Sequence, residues 1–283
     1  MLDLSHIPDS QQDMKIFYAI SGSNSWQTWT KPRKCQWVWI MAIGGASSGI
    51  AGSNINNSSG QAGAAGAVTR GLFNASFLPD TLYVQVGPGG AGTTSISVAN
   101  PGTRSFIALQ PSTTSTNVVL TSGAVAATAT TAGGLITETP ATTTNMAFAT
   151  LGTFLSIQTL SQGNVDTTPL ISTLVTNGGY GGGKTNTPSV VPGKSILSSS
   201  ISPLIRGGIG SLTTDGDSGG DGITSWKPFF STGGAGGGAS TVGFGGKGGD
   251  GGIGSGGGGG GAGTLGGGSG GKGGDGLVVI VAF

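Results

Sequence analysis

The heptapeptide GGKGGDG occurs twice in this chain, at residues 245–251 and again at residues 270–276, the second copy starting 25 residues after the first. Four kinds of structure can begin this way: a phosphate-binding loop, a calcium-binding repeat, a flexible linker and a packed glycine scaffold. The neighbours of each copy decide between them, and with them the fold.

A phosphate loop has a formal match elsewhere, in GGYGGGKT at residues 178–185. That motif needs a following helix, so that backbone N–H groups and the helix dipole face the phosphates. Here the chain continues NTPSVVPGK, with Pro188 and Pro192, and no apolar strand ending in aspartate follows to hold magnesium. Nucleotide hydrolysis is not expected.

For calcium, GGKGGDGLV fits one turn of a parallel β-roll, with Asp275 as ligand and Leu277 buried. A β-roll needs consecutive nonapeptides, and these copies are too far apart to complete each other's sites. The earlier copy also places Gly252 where the large apolar residue belongs. DGDSGGD at residues 215–221 offers oxygen ligands but has Trp226 at the twelfth position, where a glutamate is needed. No metal site is expected, and an incidental calcium ion stays open.

A floppy linker would not end on the apolar stretch LVVIVAF at residues 277–283. Such a strand needs a partner, and WVWIMAI at residues 37–43 is the best candidate. Paired, the two would clamp both ends of the glycine region.

The packed scaffold remains. Read in threes, Gly245, Gly248, Gly251, Gly254, Gly257, Gly260, Gly263 and Gly266 share one phase. Lys247, Asp250, Ile253, Ala262 and Leu265 share another. A period of three suits an extended three-fold helix. No proline follows Pro228, which excludes collagen and leaves polyglycine II. Such helices lack internal hydrogen bonds and must bond their neighbours. Only glycine lets backbones approach that closely. The 25-residue spacing then predicts one path out and back, with legs of about 35 Å at the rise of a three-fold helix.

The rest of the 283-residue chain fits this outline. Glycine supplies 60 residues, about three times its usual share. Charged residues are 8% and the formal net charge is +1, so no basic surplus draws nucleic acid. Neither long apolar run approaches a membrane span. The N-terminus does not read as a signal peptide, and synthesis in a reducing cytoplasm fits the single cysteine, Cys35. His6, the only histidine, excludes most histidine catalysis and nearly all zinc chemistry. No cofactor and no catalytic residue is expected.

Along the chain, residues 1–22 form a lead segment, either a partly ordered terminus or a peg into a larger assembly. Residues 23–283 form the glycine-rich domain. Four of the five tryptophans lie between Trp26 and Trp39, and Trp37 and Trp39 alternate with Val38 and Ile40 as in a strand with two occupied faces. TLYVQV, residues 81–86, is a second strand, and Gly87 to Gly90 are expected to turn the chain. Residues 93–176, rich in threonine and serine, read as a β insertion with strands in SFIALQ, NVVLT and TFLSIQTL. Residues 177–232 are loop-rich, and residues 233–283 hold the polyglycine region and the closing strand. The expected fold class is mainly β and irregular, with essentially no α-helix.

Three blocks, WTKPRKCQWVWIMAIGGASSG, LPDTLYVQVGPGGAG and GGKGGDGLVVIVAF, resemble in order the glycine-rich domain of phage and prophage tail-fibre proteins. That resemblance implies a virion surface protein made in the host cytoplasm, a fibre or spike tip adhesin without enzymatic activity. Its distal loops would contact a host glycan or protein receptor. Residues 1–22, read as a peg, would bind other virion proteins, although they match no fibre-attachment segment of that family, and the assembly would be a homotrimer or a single chain on a trimeric fibre. Aromatic residues and arginine dominate binding hot spots, so Tyr180, Lys184, Arg206, Trp226, Phe229 and Phe230 are the candidate receptor contacts. A purely structural virion protein and an ice- or surface-binding glycine bundle are the other readings.

Overall fold

The computed structural model describes residues 13–20, 25–54, 59–122, 149–150, 175, 178–183, 190–196, 204–227 and 229–283. Among these there is no α-helix, and the only helical turn is a 3-10 turn at Ala75–Phe77. The structure is mainly β and irregular, as the absence of any 3.6-residue apolar period requires.

The strands are β1 (Asp13–Tyr18), β2 (Gln27–Thr30), β3 (Trp37–Ile43), β4 (Val68–Asn74), β5 (Thr81–Gln85), β6 (Ser105–Ala108), β7 (Val118–Ser122), β8 (Ala149–Thr150), β9 (Thr224–Trp226), β10 (Phe229–Ser231) and β11 (Leu277–Ala282). They form a five-stranded sheet in the order β1-β11-β3-β4-β8, a four-stranded sheet β2-β5-β6-β7, and the hairpin β9-β10. All pairings are antiparallel.

The predicted clamp is the centre of the larger sheet. β11 pairs β3 from Leu277↔Ile43 to Ala282↔Val38. Every residue of β11 is buried, because the sheet is covered on both faces. Val38, Ile40, Val278 and Ile280 pack with Trp29, Leu82, Val84 and Ile107 of the smaller sheet. The alternate residues Met41, Ile43, Leu277 and Val279 pack with Val175 and Phe229. Trp39 lies against this second cluster while Trp37 is 37% exposed, so the tryptophan stripe is only partly core.

Three outlines drawn from the sequence change. The lead segment is not separate throughout, because Asp13–Tyr18 is the edge strand of the main sheet. SFIALQ and NVVLT become β6 and β7, completing the smaller sheet beside β5. TFLSIQTL lies outside the described residues. Gly87 to Gly90 do not turn. They continue β5, with Gly90 N donating to Ala46 O and Gly276 N to Gly87 O.

That continuation is general. β3, β5, β10 and, in the other direction, β4, β6, β9 and β11 each join a glycine-rich run that leaves the sheets on one side. The runs bond to one another with a period of three. Gly44, Ser47 and Ile50 donate to Ala67, Ala64 and Gln61. Ala46, Gly49 and Gly52 donate to Gly274, Gly271 and Gly268. The intervening Gly45 and Ser48 donate to Thr103 and Asn100.

Residues 255–262, which include the unbroken run of glycines at 256–261, lie at the centre. Their N–H groups donate to Ser47 and Ile50, to Gly249 and Gly246, and to Gly179 and Gly182. Their carbonyls accept from Gly60 and Gly63, from Gly234 and Gly237, and from Gly268 and Gly271. Neighbouring backbone therefore surrounds the glycines at 256–261, which leaves no direction for a side chain there.

The two heptapeptide copies are parallel neighbours on either side of this stretch in sequence. Gly248 N donates to Ser269 O and Gly251 N to Lys272 O. Residues 255–262 run opposite to both, which is the predicted path out and back. The turn into the central stretch falls at Gly254, the one described glycine with positive φ, at 64°, a conformation that glycine adopts without penalty.

Candidate functional site

The runs end, on the side away from the sheets, in loops. Three of these, residues 211–215, 240–244 and 262–266, are stitched into one surface. Thr241 N donates to Ser211 O at 3.2 Å, and Leu265 N to Gly243 O at 3.1 Å. Thr264 Oγ1 donates to Thr241 O at 2.7 Å, and Ser240 Oγ to Thr214 O at 2.6 Å.

Local sequence explains these loops. Serine and threonine bond backbone groups two or three residues on, and so fix short turns. Ser211 Oγ accepts from Thr214 N at 2.9 Å, and Ser240 Oγ from Gly243 N at 2.8 Å. Asp215 Oδ1 accepts from Phe244 N at 2.7 Å. Thr241 Oγ1 reaches Leu212 O at 3.5 Å. Ser211, Thr214, Asp215, Ser240, Thr241 and Thr264 thus all direct polar atoms to bonds between or within the loops.

The bulky side chains point the other way. Leu212 is 48% exposed, Val242 47%, Phe244 52% and Leu265 64%. Phe244 lies over Gly266, where even a methyl group would approach its ring to 3.1 Å. The three loops contain no lysine, arginine or histidine, and Asp215 is their only ionisable residue. The surface is an apolar set on loops held by their own hydroxyls.

None of the residues chosen from the sequence lies in these loops. Phe229 is 1% exposed and belongs to the core, so it is withdrawn as a contact. Trp226 is half-buried in the β9–β10 hairpin against the sheets. Its ring meets Phe229 at 5.3 Å and Tyr18 at 6.3 Å. Phe230, in β10, is partly buried at the same end. Arg206 is exposed on the flank of the array. Tyr180 is partly buried within a glycine run, and burial pushes its phenol above the ordinary value. Lys184 lies outside the described residues. In the aromatic hairpin the Trp226 and Phe229 rings pack against the main sheet.

Leu212, Val242, Phe244 and Leu265 carried a signal that composition alone hides. Each stands in a short serine- or threonine-containing break between glycine triplets. Such a break marks the end of a run, where a large side chain has room.

The formal phosphate motif is accounted for by the array. Gly178, Gly179, Gly181 and Gly182 donate their N–H groups to Gly63, Gly234, Gly60 and Gly237. No N–H among these four is left to cradle a phosphate. Among the described residues no group of three or more His, Cys, Asp or Glu could hold a metal ion, and no helix is long and apolar enough to cross a membrane.

A family model described as a glycine-rich domain matches residues 21–283. No curated protein matches the chain. The chain belongs to the glycine-rich domain family.

Proposed function

We propose that this member of the glycine-rich domain family is a virion surface protein, the receptor-binding tip of a phage fibre or spike, and that it acts by binding alone. In this reading the runs are polyglycine II helices that hold the distal loops rigid. Leu212, Val242, Phe244 and Leu265 make the contact in place of the aromatic hairpin. The carrying observation is the division of labour within the loops. Ser211, Thr214, Asp215, Ser240, Thr241 and Thr264 are bonded between or within the loops, Thr213 alone of their polar side chains being outside these bonds, while four apolar ones stand exposed. Rigid loops lose little entropy on binding, and exposed apolar groups in a cluster favour a partner surface over water.

Such a surface suits an apolar host protein better than an anionic glycan, which would need cations. The test is adsorption. The variant Leu212→Ser/Val242→Thr/Phe244→Ser/Leu265→Ser should keep the melting temperature and lose roughly tenfold or more in binding to host cells. Unchanged adsorption by a folded variant would overturn the assignment. A particle map that buries these loops in a joint would favour a purely structural virion protein.

A further inference from the structure

The opposite end of the molecule carries a second surface that the proposed function does not use. Two connections cross between the sheets there, from β2 to β3 and from β4 to β5. Between them lies a groove of about 890 Å3, lined among others by Lys31, Arg33, Lys34, Cys35, Trp37 and Asp80.

Lys31 is already engaged. Its Nζ donates to Ala75 O at 3.1 Å and Leu78 O at 2.7 Å and pairs with Asp80 at 3.3 Å. Arg33 and Lys34 are exposed, and neither forms an ion pair among the described residues. Lys34 holds a φ of 70°, which fixes the sharp turn that carries both cations. The groove therefore has a surplus of positive charge.

Its margin is apolar. Trp37 and Phe283 exchange backbone hydrogen bonds of 2.8 and 2.9 Å. In the next row of the same sheet face lie Met14, Val281, Trp39 and Leu72, opposed strand to strand. Met14 is 44% exposed, Leu72 40% and Phe283 43%. Val281 and Trp39, in the middle of that row, are covered by the second core cluster, so the basic groove adjoins separate exposed apolar groups at Trp37, Phe283, Met14 and Leu72.

We propose that this groove and its apolar margin bind the chain's own residues 1–12. The stretch reads MLDLSHIPDSQQ. It combines Leu2, Leu4 and Ile7 with Asp3 and Asp9, and has no lysine or arginine. That is the complement of Trp37, Phe283 and Met14 beside Arg33 and Lys34. Its point of attachment is at the same end, since β1 begins at Asp13, paired with Ala282 next to Phe283. Two strand spacings, about 10 Å, separate β1 from β3. Twelve extended residues reach about 40 Å, so the groove is well within range.

Exposed ion pairs bind weakly. The aliphatic contacts supply the attraction, and the two aspartates set the direction. The seat is consequently reversible, and a partner segment that is acidic and aliphatic would compete for it.

Cys35 provides the test in the 283-residue chain, because it is the only cysteine of that sequence and lines the groove. Its alkylation by iodoacetamide should be about tenfold faster in Asp3→Lys/Asp9→Lys than in the unchanged chain, since access limits reaction of a shielded thiol. Both proteins should melt at the same temperature. Separately, Leu4→Cys, Ile7→Cys and Ser10→Cys variants, gently oxidised, should give a bond to Cys35 within one chain, read by peptide mass. Equal alkylation rates with no such bond would overturn the proposal. A bond formed only between two chains would also overturn it, and would assign the groove to a second copy.

Discussion

The aspartates of the two heptapeptides serve the edge of the array. A run at the surface lacks a neighbour on its outer side, and some of its N–H groups would go unpaired. Asp250 Oδ1 accepts from Lys272 N at 2.9 Å, and Asp275 Oδ1 from Gly89 N at 2.8 Å. Asp221 serves Asp250 N and Asp215 serves Phe244 N in the same way. Each lysine pairs with the aspartate one three-residue step ahead, Lys247 with Asp250 at 3.0 Å and Lys272 with Asp275 at 3.1 Å. Replacing Asp275 with alanine should cost about 1 kcal/mol in chemical denaturation, the usual worth of such a bond. Adding a calcium chelator should leave the melting temperature unchanged. A calcium-dependent melting temperature would show instead that these carboxylates hold a metal. At Gly258 a methyl group would collide with the carbonyl of Ala235, and at Gly274 with that of Gly252. Backbone on every side cannot yield, so Gly258→Ala or Gly274→Val should destabilise by about 3 kcal/mol or more. Gly266→Ala meets only the Phe244 ring and should be tolerated. The sequence displayed the phase of these glycines. It did not display the aspartate caps, because each joins residues from different runs, up to 186 positions apart.

Strand β11 shows what can be read at the scale of an element. Its apolar run demanded a partner and had one good candidate, and the two pair along their whole length. Ile280 is fully buried and paired with Ile40. Ile280→Ala should therefore cost about 2–5 kcal/mol, measured by denaturant unfolding. A much smaller loss would mean that the smaller sheet closes over the gap. Alternation in β3 correctly implied two covered faces. The segment after β5 misled because Gly-Pro-Gly-Gly is ordinarily turn chemistry. Here Pro88 sits in an extended run where its missing N–H is not needed, and its carbonyl accepts from Thr103 N. Local residues could not distinguish these outcomes, because the deciding groups lie in other runs. For the same reason the aromatic hairpin β9–β10 looked like a contact surface. The burial of Phe229 among Met41, Ile43, Leu277 and Val279, with Trp226 packed beside it, shows that this face of the hairpin is turned inward.

At the scale of the molecule, sheets occupy one end and loops the other, with the glycine array between. Among the described residues the array bonds, local turn bonds such as Ser255 N to Gly252 O aside, join one run to another, so no run can loosen alone without exposing several others. Lys247 and Lys272 extend exposed side chains, yet their carbonyls accept from Gly219 and Gly251. A protease must free a length of backbone before cutting. Trypsin should therefore leave the bonds after Lys247 and Lys272 intact under native conditions, as judged by fragment masses. The loops at the far end were the least legible part of the candidate site, since their grouping depends on how all the runs align.

The three-residue hydrogen-bond period also constrains how this chain can change in length. One residue inserted within 255–262 would shift every later position by one step of the three-residue bonding period and set each N–H toward the wrong neighbour. Three inserted residues would restore the phase and lengthen the run by one step. A loop such as residues 240–244 has no such arithmetic and can grow or shrink by any number. Variation in length is thus counted in threes inside the array and in ones at its tip.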